Sequence, residues 1–469
     1  MATGEIEITA DEFYTLAPSK TPPFEIEDET TAHEQLRLEY RYLDLRRQPL
    51  QDNLHLRHRT TMAVRRYLDE QGFYEIETPL LIRSTPEGAR DYVVPSRVSK
   101  GKFFALPQSP QLLKQILMVS GFDKYFQIAR CLRDEDLRSD RQPEHTQIDM
   151  EMSFVTPDDV FRIAEGMLEH LFSTVLNTRI QIPFPRVTFE EAMNRWGTDK
   201  PDTRYAMELV DFSAIVADCG FRVFVDNVRG GGVVKGIVLK GGAGYSRKQV
   251  EELTARVKEL GGGGLAYLLR TPDQDKSPIL KFLGDGIKDA LCSHAKAETG
   301  DALFIVSDQH LKTEAILGQL RVELARRHNL VKAGEWKFLW VTEFPLFEYD
   351  SEKDGLVAMH NIVSQPLEQD LPLVEEGYRS SLPLSNPEHP WRRARAAQYD
   401  LVVNGWEIAS GGQRISQRRL QEQILEILGI DRERAQRMFG FLLRALEYGA
   451  PPHAGLAPCL LYTSDAADD

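Results

Sequence analysis

The stretch YFQIARCLRDEDLRSDRQPEHTQIDMEMSF, residues 125–154, decides how the rest of the chain is read. In its second half Ile148, Met150, Met152 and Phe154 alternate with Gln147, Asp149, Glu151 and Ser153, a period of two that predicts a strand with its polar groups on one face. If the first half is an unbroken strand, the same parity groups Gln127, Arg133 and Glu135. Alternation alone favours an antiparallel pair with one face in water. Residues 130–145, however, hold nine charged side chains, four of them arginine, around a single connection. That density points to two arginine- and carboxylate-rich faces turned toward a common cleft.

A second pair of strands is expected in YDLVVNGWEIAS, where Asn404-Gly405 between apolar runs predicts a two-residue type I′ hairpin. In that register Val403 faces Trp406, Val402 faces Glu407 and Asp400 faces Ala409. Asp400 and Glu407 then share a face about 7–8 Å apart at the backbone. Two carboxylates so placed, without His or Cys at ligand spacing, suit a hard cation such as Mg²⁺ that keeps water and phosphate oxygens as its other ligands. They read equally well as a solvated polar face. Arg414, seven residues beyond Glu407, offers a bidentate fork for a carboxylate or phosphate.

The chain has 469 residues, enough for two or three domains, and 42% of them are hydrophobic. Lys+Arg 57 against Asp+Glu 71 gives −14, which argues against a polycation that coats DNA or membranes. Cys131, Cys219, Cys292 and Cys459 form no pair at metal-ligand spacing, so neither a disulfide framework nor a zinc site is expected; Cys131 reads as a packed thiol. Eight acidic side chains in the first 30 residues do not fit a signal peptide, and no apolar run reaches about 18 residues. A cytoplasmic protein is expected.

Along the chain, Glu5–Thr9 is one plausible strand. A helix carrying Leu54, Met62, Val64 and Leu68 breaks at Gly72, and extended structure begins at 74–79. Thr156-Pro-Asp-Asp starts a helix with Val160, Ala164, Met167, Leu171 and Val175 on one face. Between about 200 and 330 glycine-rich turns separate strands such as GIVLK from helices such as SRKQVEELTARVKEL, an inserted α+β domain; no glycine cluster matches a phosphate-binding motif. Strand patterning resumes over 337–349.

These motifs together resemble a class II aminoacyl-tRNA synthetase, specifically the bacterial-type aspartyl-tRNA synthetases. GFYEIETPLL (72–81) resembles the first class II motif and CLRDEDLRSDRQPEHTQIDME (131–151) the second, while STPEGARDYVVPSR (84–97) and LPQSPQLLKQ (106–115) are similar to aspartate-specific segments. The resemblance implies an α+β fold: an antiparallel sheet with flanking helices, plus the inserted domain. It implies these parts: 1–30, remnant of an anticodon-binding OB-fold and linker; 31–200 and 331–457, the catalytic domain; 201–330, the insertion, peripheral to the chemistry; and 458–469, an unrelated tail.

It also implies roles. Arg133 would hold the ATP α-phosphate and the aspartate carboxylate, with Glu135 and Gln142 positioning ATP. Lys114 and Arg414 would bind the aspartate side chain, rejecting asparagine by leaving buried charge unpaired. Glu87, Gln111 and Asp149 would take the α-amino group, and His360 would complete the pocket. Asp400 and Glu407 would hold Mg²⁺ on ATP. Arg138 and Arg141, between the two strands of the second motif, would contact tRNA. A homodimer through Pro79, with L-aspartate and tRNA as partners and neither membrane nor DNA, is implied as well.

The chain departs from the family at AMHNIV around His360, at ASGGQRIS after Glu407, and after PPHAGLA (451–457). There Tyr462 stands where the third motif has an ATP-binding arginine, and no arginine follows Arg444. Loss of that arginine predicts impaired activation, and the short N-terminal segment predicts weak anticodon recognition. The alternative reading is a non-catalytic synthetase-like RNA-binding paralogue. An asparagine-forming ligase on the same fold is disfavoured by the QPEHTQ loop and the large insertion.

Overall fold

A computed structural model describes residues 6–84, 90–134 and 142–460. Two compact units divide the chain, Met1–Ala63 and Val64–Asp469. In the first, the strand expected over Glu5–Thr9 does not form among the described residues 6–9. Ile6 and Ile8 are 80% and 88% exposed, and an isolated extended segment has no ladder to satisfy its backbone. Asp44 is wholly buried there, accepting from Arg41 Nη1 at 2.8 Å and Arg47 Nη1 at 3.0 Å. Helix α1, Gln48–Glu70, runs from the first unit into the second. Val64 and Leu68 are buried, whereas Leu54 and Met62 are exposed. Met62 precedes Val64 by two residues, about 200° around a helix, so one face cannot hold both.

The second unit is built on a mixed sheet, in which eight strands are described. In chain order they are β1 (Tyr74–Glu75), β2 (Lys124–Leu132), β3 (Glu144–Ser153), β4 (Arg186–Thr188), β5 (Phe338–Thr342), β6 (Gln398–Val403), β7 (Trp406–Gln413) and β8 (His453–Pro458). Their spatial order is β1-β2-β3-β8-β7-β6-β5-β4. The six inner strands are antiparallel, as expected, but both edges are parallel: β1 to β2 and β4 to β5. A parallel neighbour needs a crossover connection, and the chain leaves the sheet between β1 and β2 and again between β4 and β5.

The 125–154 stretch forms β2 and β3, paired from Lys124↔Met152 to Leu132↔Glu144. Strand β2 stops at Leu132, although the Arg133 N–H still donates to Pro143 O at 2.8 Å. The solvated face that alternation favours is absent: every residue from Ile148 to Ser153 is buried. Helix α2 (Gln111–Val119) packs on β3, and helix α3 (Pro157–Thr174) covers the opposite side of the sheet, where Phe161 stacks on Trp340 at 4.3 Å and meets Tyr399 edge-on at 4.9 Å. Thr156 starts α3 as expected, its N–H and hydroxyl donating to the Asp159 carboxylate at 3.0 and 2.9 Å.

Between β4 and β5 the chain makes a separate antiparallel sheet of five described strands: Asp275–Lys276, Ala266–Arg270, Ala302–Asp308, Val233–Leu239 and Val210–Asp211, in that spatial order. One core, with Leu253, Phe304 and Leu317, packs apart from a second with Phe212, Phe224 and Leu303. Helix α4 (Phe189–Trp196) precedes this region and helix α5 (His310–Arg327) closes it. Helices α6 (Arg418–Ile427) and α7 (Arg432–Glu447) lie between β7 and β8.

Two predictions follow from the packing of β3. A Cβ at Gly455 would lie 1.9 Å from Glu151 Oε2 and 2.3 Å from Met150 O, whereas one at Gly264 meets nothing within 4 Å. Gly455→Ala should lower the unfolding free energy by about 1–3 kcal/mol in a urea titration, and Gly264→Ala should change it by less than about 0.5 kcal/mol. Burial, helped by the Arg133 charge, pushes His145 down to about 4. As the pH falls from about 6.5 toward about 4, the unfolded chain therefore takes up a proton that the folded chain refuses, and stability declines. The drop in urea midpoint between about pH 7 and about pH 4.5 should be smaller in His145→Gln than in the unsubstituted protein.

Candidate active site

Residues directly opposite one another in antiparallel strands point to the same side of a sheet. The pairs Gln127↔Asp149, Glu151↔Gly455, Gly455↔Gly412, Gly412↔Gln398 and Asp400↔Ser410 therefore line up one polar face across five strands. Its middle, on β7 and β8, carries glycine. Neighbouring side chains take up the room these glycines leave, Glu151 Oε2 at Gly455 and Gln398 Oε1 at Gly412.

A chain of buried charges closes one end of this face. Lys114, on the first turns of α2, places Nζ 2.7 Å from Asp149 Oδ1 and 3.1 Å from Glu151 Oε2. Arg414, just past the end of β7, places Nε 3.1 Å from Glu151 Oε1. None of these four side chains is more than 3% exposed. Burial raises the Asp149 carboxyl above the usual range and Lys114 offsets this only in part; for Glu151 burial is outweighed by Arg414 and Lys114, so its carboxyl lies low. His453 is wholly buried beside them, with Nδ1 2.8 Å from Pro451 O and Nε2 3.2 Å from Gln115 Nε2. That pairing puts the ring proton on Nδ1, and burial lowers the imidazole pKa. What remains unsatisfied is informative. Asp149 Oδ2, Glu151 Oε2, Arg414 Nη1 and Arg133 Nε are buried with no hydrogen-bond partner, two acceptors and two cationic donors, although Glu151 Oε2 still faces the Lys114 charge at 3.1 Å.

The other end holds His360, Asp400 and Glu407. His360 Nε2 lies 3.2 Å from Asp400 Oδ2, and Phe344 packs edge-on against the imidazole at 4.5 Å. Burial would lower the His360 pKa, but the Asp400 hydrogen bond and charge outweigh it and the net shift is upward. Burial, the Asp400 charge adding to it, raises the Glu407 carboxyl against the pull of Lys200, whose Nζ is 2.7 Å from Glu407 Oε2. Asp400 Oδ1 is buried and has no partner. The hairpin turn forms at Asn404 and Gly405, with φ of 53° and 90°, and Val403↔Trp406 and Val402↔Glu407 pair as expected. Asp400, however, pairs with Ser410 and not Ala409, because a bulge between Leu401 and Val402 shifts the register by one residue. Among the described residues no three of His, Cys, Asp and Glu are grouped to hold a metal ion. Two carboxylates, one with a buried unpaired oxygen, do fit a Mg²⁺ that draws its remaining ligands from water and phosphate.

The sheet thus brings together Lys114, Asp149 and Arg414 at one end and His360, Asp400 and Glu407 at the other. Gln111 begins α2 half-buried, with Nε2 3.4 Å from Gln115 Oε1. Gln142 is exposed. Glu87, Glu135, Arg138, Arg141 and Tyr462 lie outside the described residues. Sequence reasoning missed Glu151, Gln115, His453 and Lys200 as members of the site. Glu151 had a signal, its parity with Asp149; for the other three the residue pattern alone offered none.

A family model for "tRNA synthetases class II (D, K and N)" matches residues 33–460. An aspartate–tRNA(Asp/Asn) ligase of Moorella thermoacetica is 50% identical over 457 residues, covering 97% of this chain and 74% of its own. One of Symbiobacterium thermophilum, under the same name, is 52% identical over 458 residues, 97% of this chain and 76% of its own. An aspartate–tRNA ligase of Ruminiclostridium cellulolyticum is 50% identical over 458 residues, 97% and 75% respectively. With a sheet floored by glycine between two charged ends, and likeness over nearly its whole length, the chain belongs to the class II tRNA synthetases of the D, K and N group.

Proposed function

We propose that the chain activates L-aspartate with ATP and passes the aspartyl group to the 3′ end of a tRNA. The observation that carries this reading is the set of buried atoms without partners. Asp149 Oδ2 can accept from an α-ammonium, and Arg414 Nη1 can donate to a side-chain carboxylate held beside Lys114. Aspartate is a zwitterion with a second carboxylate, so it supplies what each lacks. Arg414 with an asparagine amide in place of the carboxylate would keep one donor facing another, at the cost of an unpaired buried charge.

In this reading an oxygen of the aspartate α-carboxylate attacks the ATP α-phosphorus, the bond to the β-phosphate oxygen breaks, and pyrophosphate leaves. The 3′-terminal ribose hydroxyl of tRNA then attacks the aspartyl carbonyl, and AMP leaves. No protein nucleophile is needed. Arg133, whose Nε is buried without a hydrogen-bond partner just past the end of β2, would neutralise the charge that gathers on the α-phosphate. Glu135 and Gln142 would position the nucleotide, Glu87 and Gln111 would assist Asp149, and Arg138 and Arg141 would touch tRNA. Asp400 and Glu407 would hold Mg²⁺, which when bound offsets charge on the phosphates. His360, bonded to Asp400, fixes that carboxylate's orientation.

Three further parts belong to the same proposal: a homodimer through the segment around Pro79, a cytoplasmic location, and the division of the chain at about 30, 200, 330 and 457. No helix among the described residues is long and apolar enough to cross a membrane.

Aspartate-dependent exchange of labelled pyrophosphate into ATP tests the activation step. Exchange above the level without amino acid is expected, with asparagine ineffective. Arg414→Met should cut kcat/KM for aspartate by roughly 100-fold through loss of a charged hydrogen bond. Neither exchange nor binding of a non-hydrolysable aspartyl-adenylate analogue, in a folded sample, would favour the RNA-binding reading instead.

A further inference from the structure

Lys200 belongs to none of the strands that carry the site's acids. It lies between α4 and the five-stranded sheet, on a segment fixed at both ends. At the first end, Gly197 turns with a left-handed φ of 69°, and a Cβ on Gly318 of α5 would sit 2.5 Å from its carbonyl oxygen. The Lys200 N–H then donates to Thr198 Oγ1 at 3.1 Å. At the second end, Arg321 of α5 is wholly buried and donates to the carbonyls of Asp202 at 2.6 Å, Tyr205 at 3.2 Å and Met207 at 2.8 Å. The β6–β7 turn abuts the same segment, since a Cβ on Gly405 would be 3.3 Å from the Asp202 Cβ.

With its backbone held, Lys200 brings its ammonium to 2.7 Å from Glu407 Oε2. The carboxylate read as a Mg²⁺ ligand is therefore already covered by a cation of the protein itself. Glu407 is 30% exposed and Lys200 43%, so a hydrated ion can reach the pair from solvent. A metal arriving on the unpaired Asp400 Oδ1 would repel the ammonium. The four-carbon stem lets Nζ swing without backbone movement, and its three donors suit phosphate oxygens.

We propose that Lys200 is a positioning residue for the metal-bound phosphate chain: it neutralises Glu407 while nucleotide is absent, yields Glu407 to the metal, and then donates to a phosphate oxygen. The inference rests on the reading of Asp400 and Glu407 as the Mg²⁺ site. It also gives the inserted region, through Arg321, a part in holding a group at the chemistry.

Binding of Mn²⁺ alone, followed by the loss of its free electron-spin signal, separates the two claims. Lys200→Met should bind Mn²⁺ about 3-fold more tightly, as expected for removal of a partly exposed competing ion pair. The same variant should bind Mg²⁺-pyrophosphate about 10-fold more weakly, through loss of a charge-assisted hydrogen bond, and Lys200→Arg should restore the lower Mn²⁺ affinity. A merely structural lysine would not move the two affinities in opposite directions. Unchanged or weaker Mn²⁺ binding by Lys200→Met overturns the proposal, as does unchanged pyrophosphate binding. If Asp400→Asn leaves Mn²⁺ binding as it was, the magnesium reading itself fails. In the unsubstituted protein, acetylation of Lys200 by acetic anhydride, measured by mass spectrometry, should speed up with Mn²⁺ and slow with Mg²⁺-pyrophosphate; indifference to both overturns the proposal without recourse to a variant.

Discussion

Lys114, Asp149, Glu151 and Arg414 form two cations and two carboxylates in succession, all withdrawn from water. Burying an ion costs several kcal/mol, and removing one member of a buried pair costs about 3–5 kcal/mol, so each charge depends on its neighbours being in place. Much of the catalytic unit's architecture follows. Helix α2 must lie against β3 for Lys114 to reach both acids. Arg414 must leave the end of β7 at the height of Glu151, a residue 263 positions earlier in the chain. Strand β8 must pass between them carrying glycine, since Glu151 Oε2 occupies the space a side chain at position 455 would need.

The same balance shapes recognition. The four charges cancel, so the pocket is not a strongly positive hole waiting for an anion. Its selectivity lies in directions left over: an acceptor on Asp149 and a donor on Arg414 that the protein's own pairings do not use. Such preorganised groups need little rearrangement when a ligand enters. The far end of the face differs. There Asp400 and Glu407 are like charges, each beside a partner of its own, His360 at 3.2 Å and Lys200 at 2.7 Å.

What could be read from the residues was local. Periodicity gave β3 its polar set, the Asn404-Gly405 pair located the hairpin with its first two rungs, and Thr156 marked the start of α3. The errors were local rules meeting long-range packing. Alternation alone would have turned the polar face of β3 to water, since it does not reveal that α2 covers it; the charge density of 130–145 pointed instead to a cleft. The bulge at Leu401/Val402 has no glycine or proline to announce it. Lys200 and Glu407 are joined only by the fold, so no spacing could have paired them.

The position of β8 bears on how the molecule is made. It is the last described strand in the chain, yet it lies between β3 and β7 near the middle of the sheet. During synthesis β3 must wait for about 300 further residues, roughly 15–60 s at ordinary elongation rates, before its neighbour exists. Until then the sheet is two separate halves, with Asp149 and Glu151 lacking Arg414 and His453. The five-stranded region, whose strand pairings close within residues 210–308, can form in the interval, so the insertion is placed to fold first and the catalytic sheet to close last.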